Sequence, residues 1–121
     1  MKSTPRKQVR MPVVWKATLV RLNGEHLSGS TDNVSTAGLN VIIAKELVIG
    51  EPVRMDIVTP CRLGTRFFKL DCVVVYQKGL EQNLGYAVGF KLLQPADEYV
   101  GFVEMLTQEK GWGRSIASGA A

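Results

Sequence analysis

Between residues 11 and 92 apolar side chains recur at every second position in short runs. Val13, Trp15, Ala17 and Leu19 share one face of a strand predicted over Met11 to Leu22, with Pro12 near its start, where a missing N–H costs least. Asn23-Gly24 follows, the strongest hairpin signal in the chain, because both residues tolerate positive φ. The returning strand is predicted from about Glu25 to Thr31, ending at Asp32-Asn33. Leu39, Val41 and Ile43 alternate next, then Val53, Met55 and Ile57 against Arg54 and Asp56. Phe68, Leu70, Cys72, Val74 and Tyr76 alternate with Lys69 and Asp71, and Tyr86, Val88, Phe90 and Leu92 complete the set. Each run is short and bounded by Gly, Pro or Asn, the pattern of an antiparallel barrel or sandwich.

The period then changes. Pro95 suits a first helical turn, Asp97 and Glu98 suit a helix N-terminus, and Tyr99, Phe102, Val103 and Leu106 fall at helical spacing. Gly111 is read as the stop. The fold class is therefore mainly β: six antiparallel strands closing into a barrel, with one C-terminal helix across an end. The organisation is a basic N-terminal arm over 1–10, a barrel-plus-helix body over 11–110, and a flexible tail over 111–121. No internal repeat is present.

At 121 residues, 45% hydrophobic and 21% charged, the chain reads as one soluble globular domain. No apolar run approaches the ~20 residues needed to span a bilayer. The basic N-terminus is not followed by a signal-peptide core, so the cytoplasm is the expected compartment. Cys61 and Cys72 are expected as reduced thiols, with Cys72 buried on its apolar strand face. His26 is the only histidine and has no ligand-like neighbours, so no metal is expected. No nucleophile elbow or Walker-type loop occurs, and catalysis is not indicated.

The net charge of +4 is local. Lys2, Arg6, Lys7 and Arg10 stand in the first ten positions without an acid, while the rest of the chain holds eleven bases and eleven acids. A nucleic-acid-binding domain more often spreads basic charge over a face of the fold. A small anion held by a terminal arm suits this distribution better. Arg6 and Arg10, four positions apart, offer two flat forks of donors that grip paired acceptors such as guanine O6 and N7, or phosphate oxygens. The spacing alone carries little: Arg62 and Arg66 repeat it in a loop, where solvated charge explains it.

The second motif is Asn33-Val34-Ser35-Thr36-Ala37-Gly38. Asn and Ser favour turns because their side chains bond nearby backbone, and Gly38 permits a conformation, often with positive φ, that a side chain obstructs. Taken alone, it is a tight connection. Read functionally, its free carboxamide and hydroxyl meet the polar edge of a base held by the arginines.

Together, Arg6 and Arg10 and the Asn33-to-Gly38 turn resemble the signature of PilZ domains, RxxxR followed by (D/N)xSxxG. That family reads the bacterial second messenger cyclic di-GMP. The similarity spans about residues 6 to 107 and matches in order, including the Gly85-Tyr86-Ala87-Val88-Gly89-Phe90 strand and the terminal helix. The resemblance implies a six-stranded PilZ-type barrel over which the arm clamps the ligand. Arg6 and Arg10 would contact guanine and phosphate, and Asn33, Ser35 and Gly38 would shape the opposite wall. Lys7, Asp32 and Tyr76 are secondary candidates. Tyr76 falls near where some members carry an aromatic that could stack on the ligand, although a tyrosine ending an apolar strand face is usually core. The departures are Pro5 before the arginine motif, Asn33 in place of the commoner aspartate, and Leu92 where phenylalanine more often stands.

The resemblance implies a cytoplasmic receptor, not an enzyme and without a cofactor, whose arm rearranges on binding cyclic di-GMP to engage an effector protein. One alternative is a degenerate PilZ-like adaptor that binds a protein and no nucleotide. The other, a small β-barrel binding nucleic acid, calls for aromatics interleaved with bases across a sheet face. The nine aromatics here stand mostly at core-like positions.

Overall fold

The computed structural model describes residues 9–61 and 64–120, with side chains as far as Gln108 apart from that of Cys61. Six strands form: β1 (Lys16–Arg21), β2 (His26–Val34), β3 (Gly38–Ile43), β4 (Pro52–Cys61), β5 (Gly64–Gly79) and β6 (Tyr86–Leu92). They close in the order β1-β2-β3-β6-β5-β4, every pair antiparallel, and the pairing of β1 with β4 completes the barrel. One helix, α1 (Asp97–Ala120), follows. The alternation read from the sequence is the inside of this barrel: Ala17, Leu19, Leu39, Val41, Met55, Ile57, Leu70, Val74, Val88 and Phe90 are all buried.

The predicted first strand is shorter than its pattern. Regular pairing begins at Lys16, and Met11 to Trp15 run beside β2 as a strap. Met11 and Val34 exchange backbone bonds of 2.8 and 2.9 Å, but Pro12 has no N–H to continue a ladder. The buried Thr31 hydroxyl substitutes for it, accepting from Trp15 N at 2.7 Å and donating to Val13 O at 2.6 Å. In the Asn23-Gly24 turn only Gly24 takes positive φ, 91°, so this is a type I turn closed by a glycine bulge.

Tyr76 also departs from its pattern. A bulge at Val75 shifts the β5–β6 register between Val74 and Tyr76. An extra residue reverses which face the following side chains take. Tyr76 is therefore turned outward, 53% exposed, and is not core. Gln77 becomes the inward residue, bonded through both ends of its amide to the Leu47 backbone at 2.7 Å. Cys72 is a free, buried thiol, pushed up to about 12 by burial and next by the Asp71 charge.

The helix starts at Asp97 and buries Tyr99, Phe102 and Val103 against one mouth of the barrel. Phe68 meets Tyr99 edge-on, with centroids 5.4 Å apart, and Phe102 at 5.2 Å; Trp15 meets Phe102 at 5.9 Å. The helical backbone continues past Gly111 to Ala120, where the sequence reading placed a stop and a tail. One glycine costs a helix about 1 kcal/mol, too little by itself to end it.

At the other mouth, Arg21 grips both Glu51 oxygens at 2.6 and 3.0 Å and reaches Glu25 at 3.0 Å, and Lys45 holds Glu25 at 2.7 Å. The Arg21 bond holds the Glu51 carboxyl below its usual 4.5, and Lys45, with Arg21, does the same for Glu25. A depressed folded-state pKa contributes stability that is present above the unfolded value and lost as pH falls through the folded one. Urea midpoints are thus expected to fall as pH drops below the ordinary glutamate range, and less steeply in Arg21→Gln. Equal slopes for the two proteins would show that the network does not titrate with unfolding.

Candidate functional site

The strap, the β2–β3 turn and α1 meet at the same mouth, and the two sequence motifs meet there with them. Arg10 Nη1 donates to Asn33 Oδ1 at 2.7 Å, across 23 residues of chain. Asn33 Nδ2 donates in turn to Asp32 Oδ2 at 3.3 Å, which orients the carboxamide with its oxygen toward the guanidinium. Asp32 stands at the β2 register shift between Thr31 and Asn33 and is exposed. Arg10 spends one donor on Asn33 and keeps others for a ligand. Arg6 and Lys7 lie outside the described residues.

Ser35 differs from its functional reading. It is fully buried, and its hydroxyl is taken by its own turn. Oγ accepts from Ala37 N at 3.2 Å and Gly38 N at 3.1 Å, and lies 3.2 Å from Gly38 O, to which it donates. Its carbonyl accepts from the Tyr99 hydroxyl at 3.3 Å, tying the turn to α1. The hydroxyl is thus not free to meet a base; Ser35 sets the shape of the turn that presents Asn33. Gly38 is not among the glycines with positive φ. It is glycine because a Cβ there would stand 2.4 Å from the Phe90 carbonyl oxygen on the neighbouring strand.

The strand registers extend the site beyond the two motifs. Asn33 pairs with Asn40, Asn40 with Gly89, and Gly89 with Tyr76, a single row across the outer face of β2, β3, β6 and β5. A Cβ at Gly89 would lie 3.0 Å from Asn40 Oδ1 and 3.2 Å from Tyr76 Cβ, so glycine leaves a low floor between a carboxamide and an aromatic ring. Lys91, two positions along β6, is exposed on the same face and adds a second cation. Asn40 and Gly89 were not singled out from the sequence. The available signal was a lone polar residue in the apolar run Leu39 to Ile43, and a glycine inside a strand, where close approach is the usual reason.

A guanidinium, two carboxamides, a ring and a lysine stand along one face, groups whose chemistry suits a flat, polar, anionic molecule. The comparisons with known proteins agree with the fold. A family profile for the PilZ domain matches residues 4–105, and the chain belongs to that family. None of the curated protein sequences compared matches this one. Among solved structures, the Bacillus subtilis inhibitor of motility, MotI/DgrA, is similar at TM-score 0.78 and 18% identity, covering 93% of this chain and 54% of that one. YcgR of Escherichia coli, solved in complex with c-di-GMP, is similar at TM-score 0.75 and 12% identity, covering 98% and 52%. The PilZ domain of YcgR with c-di-GMP gives TM-score 0.65 at 11% identity, over 98% of this chain and all of that one. The chain therefore spans about half the length of the MotI/DgrA and YcgR chains. Among the described residues, no helix is long and apolar enough to cross a membrane.

Proposed function

We propose that this protein is a cytoplasmic receptor for cyclic di-GMP, with no chemistry of its own, whose N-terminal arm rearranges on binding and engages an effector protein. The observation that carries this reading is the 2.7 Å bond between Arg10 and Asn33, which joins the arginine motif to the polar turn. That bond is exposed and single, so a ligand offering guanine O6 and N7 or phosphate oxygens can replace it with stronger, paired bonds. Asn33 and Asn40 are placed to accept from or donate to a base edge, and Tyr76 offers a face for stacking. Arg6, four positions before Arg10 in the sequence, would supply the second fork, and Lys7 a further charge.

The signal leaves through the strap. Met11, next to Arg10, is buried, and its sulfur lies 3.0 Å from the Thr107 hydroxyl of α1. A pull on Arg10 therefore acts on both the helix and the chain preceding it. Calorimetric titration with cyclic di-GMP is expected to give saturable heat, absent with GTP. Arg10→Ala should lose about 1.5–3 kcal/mol of binding for each charge-assisted bond removed, with its melting temperature nearly unaltered because Arg10 is exposed. Folded wild-type protein giving neither heat nor thermal stabilisation at high ligand would refute the reading and turn the search to protein partners.

A further inference from the structure

Beside the arginine–asparagine pair lies a groove of about 360 Å³ lined by Val9, Thr36, Glu104, Thr107 and Gln108. Val9 adjoins Arg10, and Thr36 belongs to the same turn as Ser35, so the groove borders the site described above. Its volume falls in the lower part of the range for small-molecule sites. Glu104 and Gln108 are four residues apart on α1, hence on one helix face, and both are exposed. Among the described residues, Glu104 has no ion-pair partner.

A carboxylate is an odd neighbour for a dianionic ligand. It accepts hydrogen bonds but cannot donate them, and it repels phosphate. One part of a guanine nucleotide suits it: the Watson–Crick edge, where N1–H and the 2-amino group point the same way as two parallel donors. Val9 supplies an apolar wall for the base face, and the Gln108 carboxamide can reach O6 or N7. A cyclic dinucleotide carries two bases. With one held over Asn33 and Asn40, the other is available to the groove on the helix side of the strap.

We propose that this groove is a guanine subsite in which Glu104 reads N1–H and the 2-amino group, so that α1 itself contacts the ligand and sets base specificity. The inference rests on the receptor reading above. It is tested by titrating wild type and Glu104→Ala with cyclic di-GMP and with cyclic di-IMP, which lacks the 2-amino groups. Glu104→Ala is expected to weaken cyclic di-GMP binding roughly ten- to a hundredfold. It should weaken cyclic di-IMP binding much less, so that the wild-type preference between the two ligands shrinks. The sign is decisive: if Glu104 were only a nearby charge, removing it would relieve repulsion and tighten both. Unaltered or tighter binding in the variant, or an undiminished preference, overturns the guanine subsite and leaves the receptor reading standing. Wild-type protein that binds neither ligand overturns both.

Discussion

Phe102→Ala is expected to destabilise the protein by about 3–5 kcal/mol, the cost of truncating a large buried aromatic. Phe102 is 4% exposed and touches both Trp15 from the strap and Phe68 from β5. The Arg66 guanidinium lies over the rings of Phe68 and Phe102, 5.2 and 5.3 Å from their centroids. Alanine would leave a cavity where helix, strap and barrel mouth converge, and backbone closure of a barrel mouth is too stiff to fill it. A loss of this size is a large share of the roughly 6–18 kcal/mol expected for a domain of this length. The melting temperature should drop on the order of 10–20 °C. Phe67→Ala is the internal contrast: adjacent to Phe68 on the same strand but 73% exposed, it should alter stability by no more than about 0.5 kcal/mol. Similar losses for the two variants would mean that α1 does not seat on the barrel in solution.

The same mouth explains what could and could not be read from the chain. Strand identity was legible because a barrel has one inside, and most of its inward positions are apolar at period two, with Thr31, Thr59 and Gln77 as polar exceptions. The helix was legible from Tyr99, Phe102 and Val103 for the corresponding reason at period 3.6. What the pattern could not carry was register. The bulge at Val75 leaves Tyr76 in phase with the apolar run by counting yet outside by geometry, since one inserted residue reverses the faces. The row from Asn33 to Tyr76 is likewise a product of four strands aligned at one level, and no local window contains it. Thr31 shows the limit from the polar side. Its hydroxyl replaces two backbone ladder bonds beside Pro12, a role invisible until the strap is laid against β2.

The candidate site was legible in its motifs and less so in their division of labour. Arg10 and Asn33 do meet, and they are the pair whose side chains face outward with bonding capacity to spare. Ser35 and Gly38 stand in the same six-residue motif and do something else. Both hold the turn in the shape that aims Asn33 at the arm, and neither needs a ligand to account for its identity.

Gly38→Ala separates these two roles. A methyl group at this position would sit 2.4 Å from a backbone oxygen of β6, which no side-chain rotation can relieve. β3 must part from β6 at the pair Gly38–Lys91, and the neighbouring bond from Leu92 N to Ala37 O, 2.9 Å, is strained with it. The turn then loses its closure, since Gly38 N and O are both bonded to Ser35. Because φ at residue 38 is not positive, alanine meets no backbone penalty of its own. It even recovers about 0.4–1 kcal/mol by restricting the unfolded chain. The close approach should outweigh that, giving a net loss of about 3 kcal/mol, near the top of the range for overpacking. The measurement is a urea titration without ligand. A lowered midpoint before any nucleotide is added identifies Gly38 as part of the scaffold that presents Asn33. An unaltered midpoint with lost cyclic di-GMP binding would instead make it a ligand contact, admitted by the absence of a side chain. The geometry favours the first outcome, because the atom a methyl would strike belongs to the protein.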